Sequence, residues 1–445
     1  MDLFGTDGLR GEVNEEITPE LALKLGKSTS LITERGDSVL ISTDTRQSGR
    51  AFEYALASGI ASTGRNAFLL NVLPTPAVPL LLDEFDAKVG AVVSASHNLA
   101  QDNGIKFFGS DGLKLTPNVE ERLEQFIVSG DGESRANWRE VGDVTTVDNS
   151  EELYIKHLKN RFSEGLPDLS GIELTIDCAH GATYRVAPRI FSELGAETSS
   201  IGVKPDGFNI NQNCGSTSLQ RLKETVASGG SDLGIGFDGD GDRALFIDEE
   251  GNEVNGDRVL YFASRYLHEK DRLQPPVVVS TVMSNLGLEN SLSELGIELV
   301  RTRVGDKYVA QEMINRGAII GGEQSGHIIF RNINTTGDGI VTALMVLSIM
   351  KETGTSLSEL GEDMLHYPQY LENVPTENKE DFQVDGAIKA EISRWEKKLG
   401  DSGRTLVRPS GTQDLIRIMV EGRDQDTAKK AVSELADFID EELNC

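Results

Sequence analysis

Three times along the chain the same order of elements recurs: an apolar strand, an amphipathic helix, a Leu-Gly or Thr-Gly stop, and a second strand. "SVLISTDTR", a helix near 48–63 and "GRNAFLLNV" make the first copy. "IELTIDCA", a helix near 182–194 and "LGAETSSIG" make the second; "PPVVVSTV", a helix near 285–295 and "LGIELVRTRV" make the third. Strands separated by helices of about ten to fifteen residues imply right-handed crossovers and mixed, mostly parallel sheets covered by helices. Beyond about residue 365 the pattern changes. "PQYLENVPTENKED" is polar and Pro-punctuated, a helix near 384–399 precedes two strand-like pieces, "RTLVRPS" and "LIRIMVEG", and a helix over 425–443 closes the chain. The expected class is α/β: three similar α/β/α domains at 1–150, 151–251 and 252–365, followed by an α+β domain at 366–445.

At 445 residues, 38% of them hydrophobic and 26% charged, the chain is too long for one core and ordinary for several. No stretch reaches the roughly 18 uninterrupted apolar residues that span a bilayer. The N-terminal "MDLFGTDGLRG" has neither the basic flank nor the apolar segment of a signal peptide. A cytoplasmic protein is expected. Cys178, Cys214 and Cys445 are scattered, which offers no disulfide framework and no CxxC metal site, and a reducing compartment fits. With 43 basic and 72 acidic residues the formal charge is −29, which opposes binding to nucleic acid or an anionic membrane. An anionic substrate must therefore be held by locally concentrated cations.

Two glycine patterns mislead. "GIGFDG" at 234–239 satisfies G-x-G-x-x-G, but the strand-like "RALFIDEEG" follows where a dinucleotide site needs a helix. "LGKS" at 25–28 resembles half of a P-loop, yet Leu21 stands where the first glycine belongs and the segment reads as a helix.

"DGDGDR" at 238–243 is different. Asp238, Asp240 and Asp242 alternate with glycines that let the loop curl until the carboxylates converge, and three such close charges need a cation. An all-oxygen set with room for a phosphate oxygen suits Mg²⁺. A solvated acidic turn is the plainer reading, but the apolar "DLGIGF" and "ALFID" leave little loop to solvate. An EF-hand fails because Arg243 occupies the position that must be Gly and no helices flank the run. Ser96, in "SASHN", sits at a strand end, where α/β sheets expose ligand sites. The segment lacks G-x-S-x-G, so an esterase elbow is unsupported, and in an extended backbone His97 points away from Ser96. "GGEQSGH" at 321–327 groups Glu323, Gln324, Ser325 and His327 on a tight loop that suits sugar hydroxyls, or equally a capping turn. "RPSGTQDLIR" at 408–417 supplies Arg408, Ser410, Thr412, Arg417 and free backbone N–H groups around Gly411, the inventory of a phosphate nest or of an ordinary surface turn.

These features share phosphate chemistry without a nucleotide loop. "FGTDGLRG", "SASHN", "DNGIKFFG", "KPDGFNIN", "DGDGDR", "GGEQSGH" and "RPSGT" occur in the order and spacing of the α-D-phosphohexomutase superfamily, which the chain resembles over essentially its whole length. Within it, the similarity is greatest to the glucosamine-phosphate branch. The resemblance implies three similar α/β domains and an α+β domain around one central cleft. It implies an isomerase that interconverts glucosamine 6-phosphate and glucosamine 1-phosphate, in amino-sugar metabolism toward peptidoglycan precursors, as a monomer or homodimer. Ser96 would be a phosphoserine that donates its phosphoryl group, and recovers the other one after a bisphosphate turns around. One Mg²⁺ per chain would bind Asp238, Asp240, Asp242 and the Ser96 phosphate. Arg10, Lys106 and Arg243 would surround that group, with His97 and Lys106 as candidates for proton transfer. Glu323, Ser325 and His327 would hold the sugar, and Arg408, Ser410, Gly411, Thr412 and Arg417 the non-reacting phosphate. Glucosamine 1,6-bisphosphate or glucose 1,6-bisphosphate would prime Ser96.

The chain departs from the family pattern at three places. Leu99 stands where Pro is common, which frees φ after the serine turn. Gln413 and Asp414 replace the usual Glu and Pro beside the phosphate nest, and Ser218 replaces a His common in this branch. The competing expectations are phosphomannomutase or phosphoglucomutase activity, an aspartyl phosphatase built on Asp238, and a non-catalytic sugar-phosphate sensor. Asp242 stands where the phosphatase pattern expects Thr or Val, and the intact Ser96, three Asp and Lys106 argue against the sensor.

Overall fold

Strand β2 (Ser38–Thr43) is buried from Val39 to Thr43, as a central strand covered on both faces must be. It lies in a six-stranded sheet with β1 (Leu9–Glu12), β3 (Asn66–Val72), β4 (Ala87–Val93), β5 (Asp102–Gly109) and β6 (Val144–Thr146), ordered β1-β5-β4-β2-β3-β6. β2, β3, β4 and β6 run parallel, whereas β5 is antiparallel to β4 and β1. A second sheet, ordered β11-β10-β9-β7-β8, holds β7 (Glu173–Asp177), β8 (Glu197–Ile201), β9 (Leu233–Phe237), β10 (Ala244–Ile247) and β11 (Glu253–Val254). The third, ordered β13-β12-β14-β15, holds β12 (Val277–Thr281), β13 (Glu298–Thr302), β14 (Ile320–Gly322) and β15 (Ile328–Phe330). The computed structural model describes all residues except 1–2, 6, 130–134, 163–164, 380–381, 383–385, 411–413 and 445. They divide into two compact units, residues 1–281 with 300–362, and residues 282–299 with 363–445.

The three expected crossover helices are present at Gly49–Ser62, Val186–Glu193 and Leu286–Glu294. The two misleading glycine patterns prove to be packing devices. In the helix Pro19–Ser28 a Cβ on Gly26 would lie 2.1 Å from the Leu56 carbonyl, and one on Gly59 would lie 2.2 Å from that of Leu23, so the pair lets two helices touch backbone to backbone. On β9 a Cβ on Gly234 would press on Val226 at 2.7 Å and one on Gly236 on Leu219 at 2.9 Å. The helix Gly339–Thr353 is buried nearly all round, yet among the described residues no helix is long and apolar enough to cross a membrane.

In the second unit, β16 (Gln369–Pro375), β17 (Gly403–Pro409) and β18 (Leu415–Gly422) form an antiparallel sheet ordered β16-β18-β17. Ile416, Ile418 and Val420 on one face of β18 pack against Trp395, Val432, Leu435 and Ile439 of the helices Gly386–Leu399 and Gln425–Asn444. Two strands were expected and three are present. β16 escapes notice because it is an edge strand: Leu371 is exposed, only Val374 is buried, and Pro375 is tolerated at its end.

Asp338 caps the helix Gly339–Thr353, accepting from the backbone of Ile340 and Val341 at 3.0 and 3.1 Å and facing Asn334 and the Tyr154 hydroxyl. Burial pushes its carboxyl up to about 6, although these donors pull the other way. A carboxyl raised on folding contributes stability that is present below its unfolded pKa and is lost as pH rises through about 6. Asp338→Asn should remove that loss. Relative to wild type, the variant should gain up to about 3 kcal/mol between pH 4 and 7, measured as the difference in urea midpoints at the two pH values.

Candidate active site

β4 ends at Val93, and the turn that follows brings Ser96 against the loop between β9 and β10. Ser96 Oγ donates to Asp238 Oδ2 at 2.6 Å, and Asn211 Nδ2 donates to the Ser96 carbonyl at 2.8 Å. A Cβ on Gly239 would lie 2.5 Å from that carbonyl, so only glycine lets the two loops meet. Ser96 is not extended. Its φ of 50° is left-handed, which brings His97 Nδ1 to 3.5 Å from Ser96 Oγ rather than pointing it away. Burial, then Arg243 and Arg10, lower the His97 imidazole to about 4.

Asp238, Asp240 and Asp242 converge as expected, with one carboxylate oxygen of each within 4.8 Å of the others, and Gly241 supplies the left-handed turn at φ +73°. All three are buried. Burial, then Asp242 and Asp240, push the Asp238 carboxyl well above its usual range. Asp240 Oδ1 and Asp242 Oδ1 are buried without a hydrogen-bond partner among the described residues. Hard oxygen donors left over in a buried, mutually repelling set fit a divalent cation such as Mg²⁺.

Cations crowd the same loop. Lys106, on β5 and 1% exposed, donates to Asp240 Oδ2 at 2.8 Å and lies 3.2 Å from Asp7 and 3.5 Å from Asp242. Burial opposes its charge, but Asp240, Asp7 and Asp242 outweigh burial and raise its pKa. Arg10 pairs with Asp7. Arg243 donates its backbone N–H to Asp238 at 3.1 Å, and its Nε lies 3.8 Å from Asp242. Asp7 also binds Lys114, Lys114 binds Asp306, and Asp306 Oδ2 lies 3.5 Å from His327 Nε2. Charges of alternating sign thus run from the aspartate loop to the turn joining β14 and β15. In that turn Glu323 Oε1 accepts from the Gly305 N–H at 3.2 Å, Gly326 accepts from the Ala244 N–H at 3.1 Å, and Ser325 Oγ has no hydrogen-bond partner among the described residues. Gln324 turns away, donating to Asp257 at 3.2 Å.

Arg408 and Arg417 are direct cross-strand partners on β17 and β18, on the face opposite Ile416 and Ile418. Burial, then Arg417, lower the Arg408 pKa. Like charges placed opposite each other repel, and an anion between them relieves it. Ser410 donates its backbone N–H to the Leu415 carbonyl at 2.9 Å; Gly411 and Thr412 lie outside the described residues.

Sequence reasoning passed over Asp7, Asp44, Arg46, Thr75, Ser94, Lys114, Asn211 and Asp306. Asp7 and Asn211 stand inside quoted motifs, and Asp44 and Arg46 follow a parallel strand's C-terminal end, where ligand sites gather. Lys114 and Asp306 carry no local signal, because their partnership spans 192 residues.

Models of the phosphoglucomutase/phosphomannomutase family match nearly all of the chain: α/β/α domain I at 1–133, domain II at 152–251, domain III at 255–367 and the C-terminal domain at 371–438. A phosphoglucosamine mutase of Desulforamulus reducens is 46% identical over 441 residues, covering 98% of this chain and 99% of its own. Among solved structures, a phosphoglucomutase/phosphomannomutase family protein from Burkholderia thailandensis aligns with a TM-score of 0.82 at 21% identity, over 99% of this chain and 98% of its own. The N-acetylphosphoglucosamine mutase of Aspergillus fumigatus, in complex with GlcNAc-6P and magnesium, aligns with a TM-score of 0.70 at 15% identity, over 99% and 96%.

Proposed function

The chain belongs to the phosphoglucomutase/phosphomannomutase family, the α-D-phosphohexomutases, and from that premise we propose that it interconverts glucosamine 6-phosphate and glucosamine 1-phosphate by passing a phosphoryl group through Ser96. Such an enzyme is an isomerase, an intramolecular phosphotransferase. The observation that carries the role of Ser96 is its hydroxyl, 2.6 Å from a buried aspartate in a set of three that leaves carboxylate oxygens unpartnered among the described residues. The glucosamine substrate rests on the relative 46% identical over almost the whole chain.

In the forward direction phosphoserine 96 meets a hydroxyl of glucosamine 6-phosphate. The P–Oγ bond breaks as the bond from phosphorus to O1 forms, and the hydroxyl proton leaves to a basic side chain; of the two candidates His97 is the neutral one, whereas Asp240, Asp7 and Asp242 hold Lys106 as a cation with no lone pair to accept it. The resulting glucosamine 1,6-bisphosphate turns over, and Ser96 takes back the 6-phosphate. Either this bisphosphate or glucose 1,6-bisphosphate primes a bare Ser96. Asp238, Asp240, Asp242 and the Ser96 phosphate would hold Mg²⁺, which when bound neutralises charge on the transferring group. Lys106, Arg10 and Arg243 add fixed positive charge around the same oxygens. Glu323, Ser325 and His327 hydrogen-bond the sugar hydroxyls. Arg408, Ser410, Gly411, Thr412 and Arg417 hold the phosphate that is not reacting. We read the four domains at 1–150, 151–251, 252–365 and 366–445, one for each of these elements.

An assay comparing glucosamine 6-phosphate, glucose 1-phosphate and mannose 1-phosphate tests the substrate. Glucosamine 6-phosphate should have the highest kcat/KM; a higher value for either neutral sugar would make the enzyme a phosphoglucomutase or phosphomannomutase. The role of Arg408 is tested separately. Losing one charge-assisted bond costs about 1.5–3 kcal/mol and lost alignment adds to it, so Arg408→Ala should lower kcat/KM by roughly ten- to a thousandfold. The phosphate content of Ser96 should be unchanged in the variant. Equal single-turnover transfer by variant and wild type at low substrate would reduce "RPSGT" to a surface turn.

A further inference from the structure

The left-handed φ of Ser96 belongs to a region where a residue with a Cβ persists only when its surroundings over-determine it. Here, besides Asn211, which donates to the Ser96 carbonyl at 2.8 Å, the restraint converges on one carboxylate. Asp44, just past the end of β2, accepts from Arg46 Nε at 2.9 Å and from the Ser94 hydroxyl. Ser94 Oγ in turn accepts the Ser96 backbone N–H at 2.9 Å, and Arg46 Nη2 donates to the Ser96 carbonyl at 3.1 Å. Both backbone polar groups of Ser96 are therefore tied to Asp44, one through a hydroxyl and one through a guanidinium. The other Arg46 bonds run round the turn, to the carbonyls of Asn98 at 2.8 Å, of Asp102 at 2.9 Å and of Leu99. Asp44, Arg46, Ser94 and Ser96 are each 3% exposed or less. Only a planar fork of five donors can serve so many carbonyls from one side, and a lysine ammonium cannot.

None of these bonds uses Ser96 Oγ. We propose that Asp44, Arg46 and Ser94 form a positioning clamp that fixes the backbone of Ser96, so that Oγ, free or phosphorylated, stays aimed at the aspartate loop. The clamp also supplies a restraint at Leu99: where proline would fix φ, the Leu99 carbonyl is held by Arg46 instead. The inference rests on the reading of Ser96 as phosphoryl carrier.

The test phosphorylates wild type, Arg46→Lys and Ser94→Ala with labelled glucose 1,6-bisphosphate, and follows one turnover with glucosamine 6-phosphate. A displaced phosphoserine loses its group to water instead, where the P–Oγ bond breaks, Oγ regains a proton and inorganic phosphate leaves. Transfer to the sugar is expected to slow about a hundredfold in Arg46→Lys and about tenfold in Ser94→Ala, the scale of a small misplacement. The share of label released as inorganic phosphate should rise, KM should stay within about twofold, and the ³¹P resonance of phosphoserine 96 should shift. Ser94→Ala removes one hydroxyl only and decides the matter should Arg46→Lys not fold. Folded variants that transfer at wild-type rates, or that lose efficiency through KM alone, would overturn the clamp. A wild type that takes no label on Ser96 would instead defeat the phosphoserine reading on which the clamp rests.

Discussion

Ser96→Ala is expected to lose at least about a thousandfold of mutase turnover while remaining folded, because the variant has no atom to carry the phosphoryl group. The structural cost is small by comparison. Removing the hydroxyl deletes its bond to Asp238 Oδ2 at 2.6 Å, worth about 0.5–1.5 kcal/mol net, and a longer contact to His97 Nδ1 at 3.5 Å. The backbone restraints through Ser94, Arg46 and Asn211 do not involve Oγ and survive. Turnover and thermal unfolding measured on the same preparation separate the two effects. A variant that retained full turnover would remove Ser96 from the chemistry.

Asp240→Asn should cost about a hundred- to a thousandfold in kcat, the scale of losing one preorganised charge at a transferring group. One Asp240 oxygen accepts from Lys106 and Thr75, and the other has no partner among the described residues. The substitution keeps the shape and removes the charge. Breaking a buried ion pair outright costs about 3–5 kcal/mol, but Lys106 retains Asp7 at 3.2 Å and Asp242 at 3.5 Å, so the loss of stability should fall below that range. A Mg²⁺ titration of activity should require more metal in the variant, and EDTA should abolish wild-type turnover. Undiminished activity in EDTA would remove the metal assignment.

What the sequence discloses follows from how local each feature is. The three strand–helix–strand copies were legible because burial leaves a period, and β2, β7 and β12 stand where "SVLIST", "ELTID" and "VVVST" put them. The aspartate loop was legible because its three ligand candidates lie within five residues. β16 was not, since an edge strand with one buried side chain has no alternation to read. The geometry of His97 was misjudged for a backbone reason: the left-handed turn at Ser96 depends on Asp44, Arg46 and Asn211, far away in the chain. Lys114 is the extreme case, a buried cation shared by Asp7 and Asp306 that no motif announces.

The most direct test follows labelled phosphate on Ser96 through a single turnover with glucosamine 6-phosphate. The label is expected to appear first in glucosamine 1,6-bisphosphate and then in glucosamine 1-phosphate, at a rate no slower than kcat. Label that leaves Ser96 only as inorganic phosphate, or reaches the sugar more slowly than steady-state turnover, would contradict a phosphoserine route.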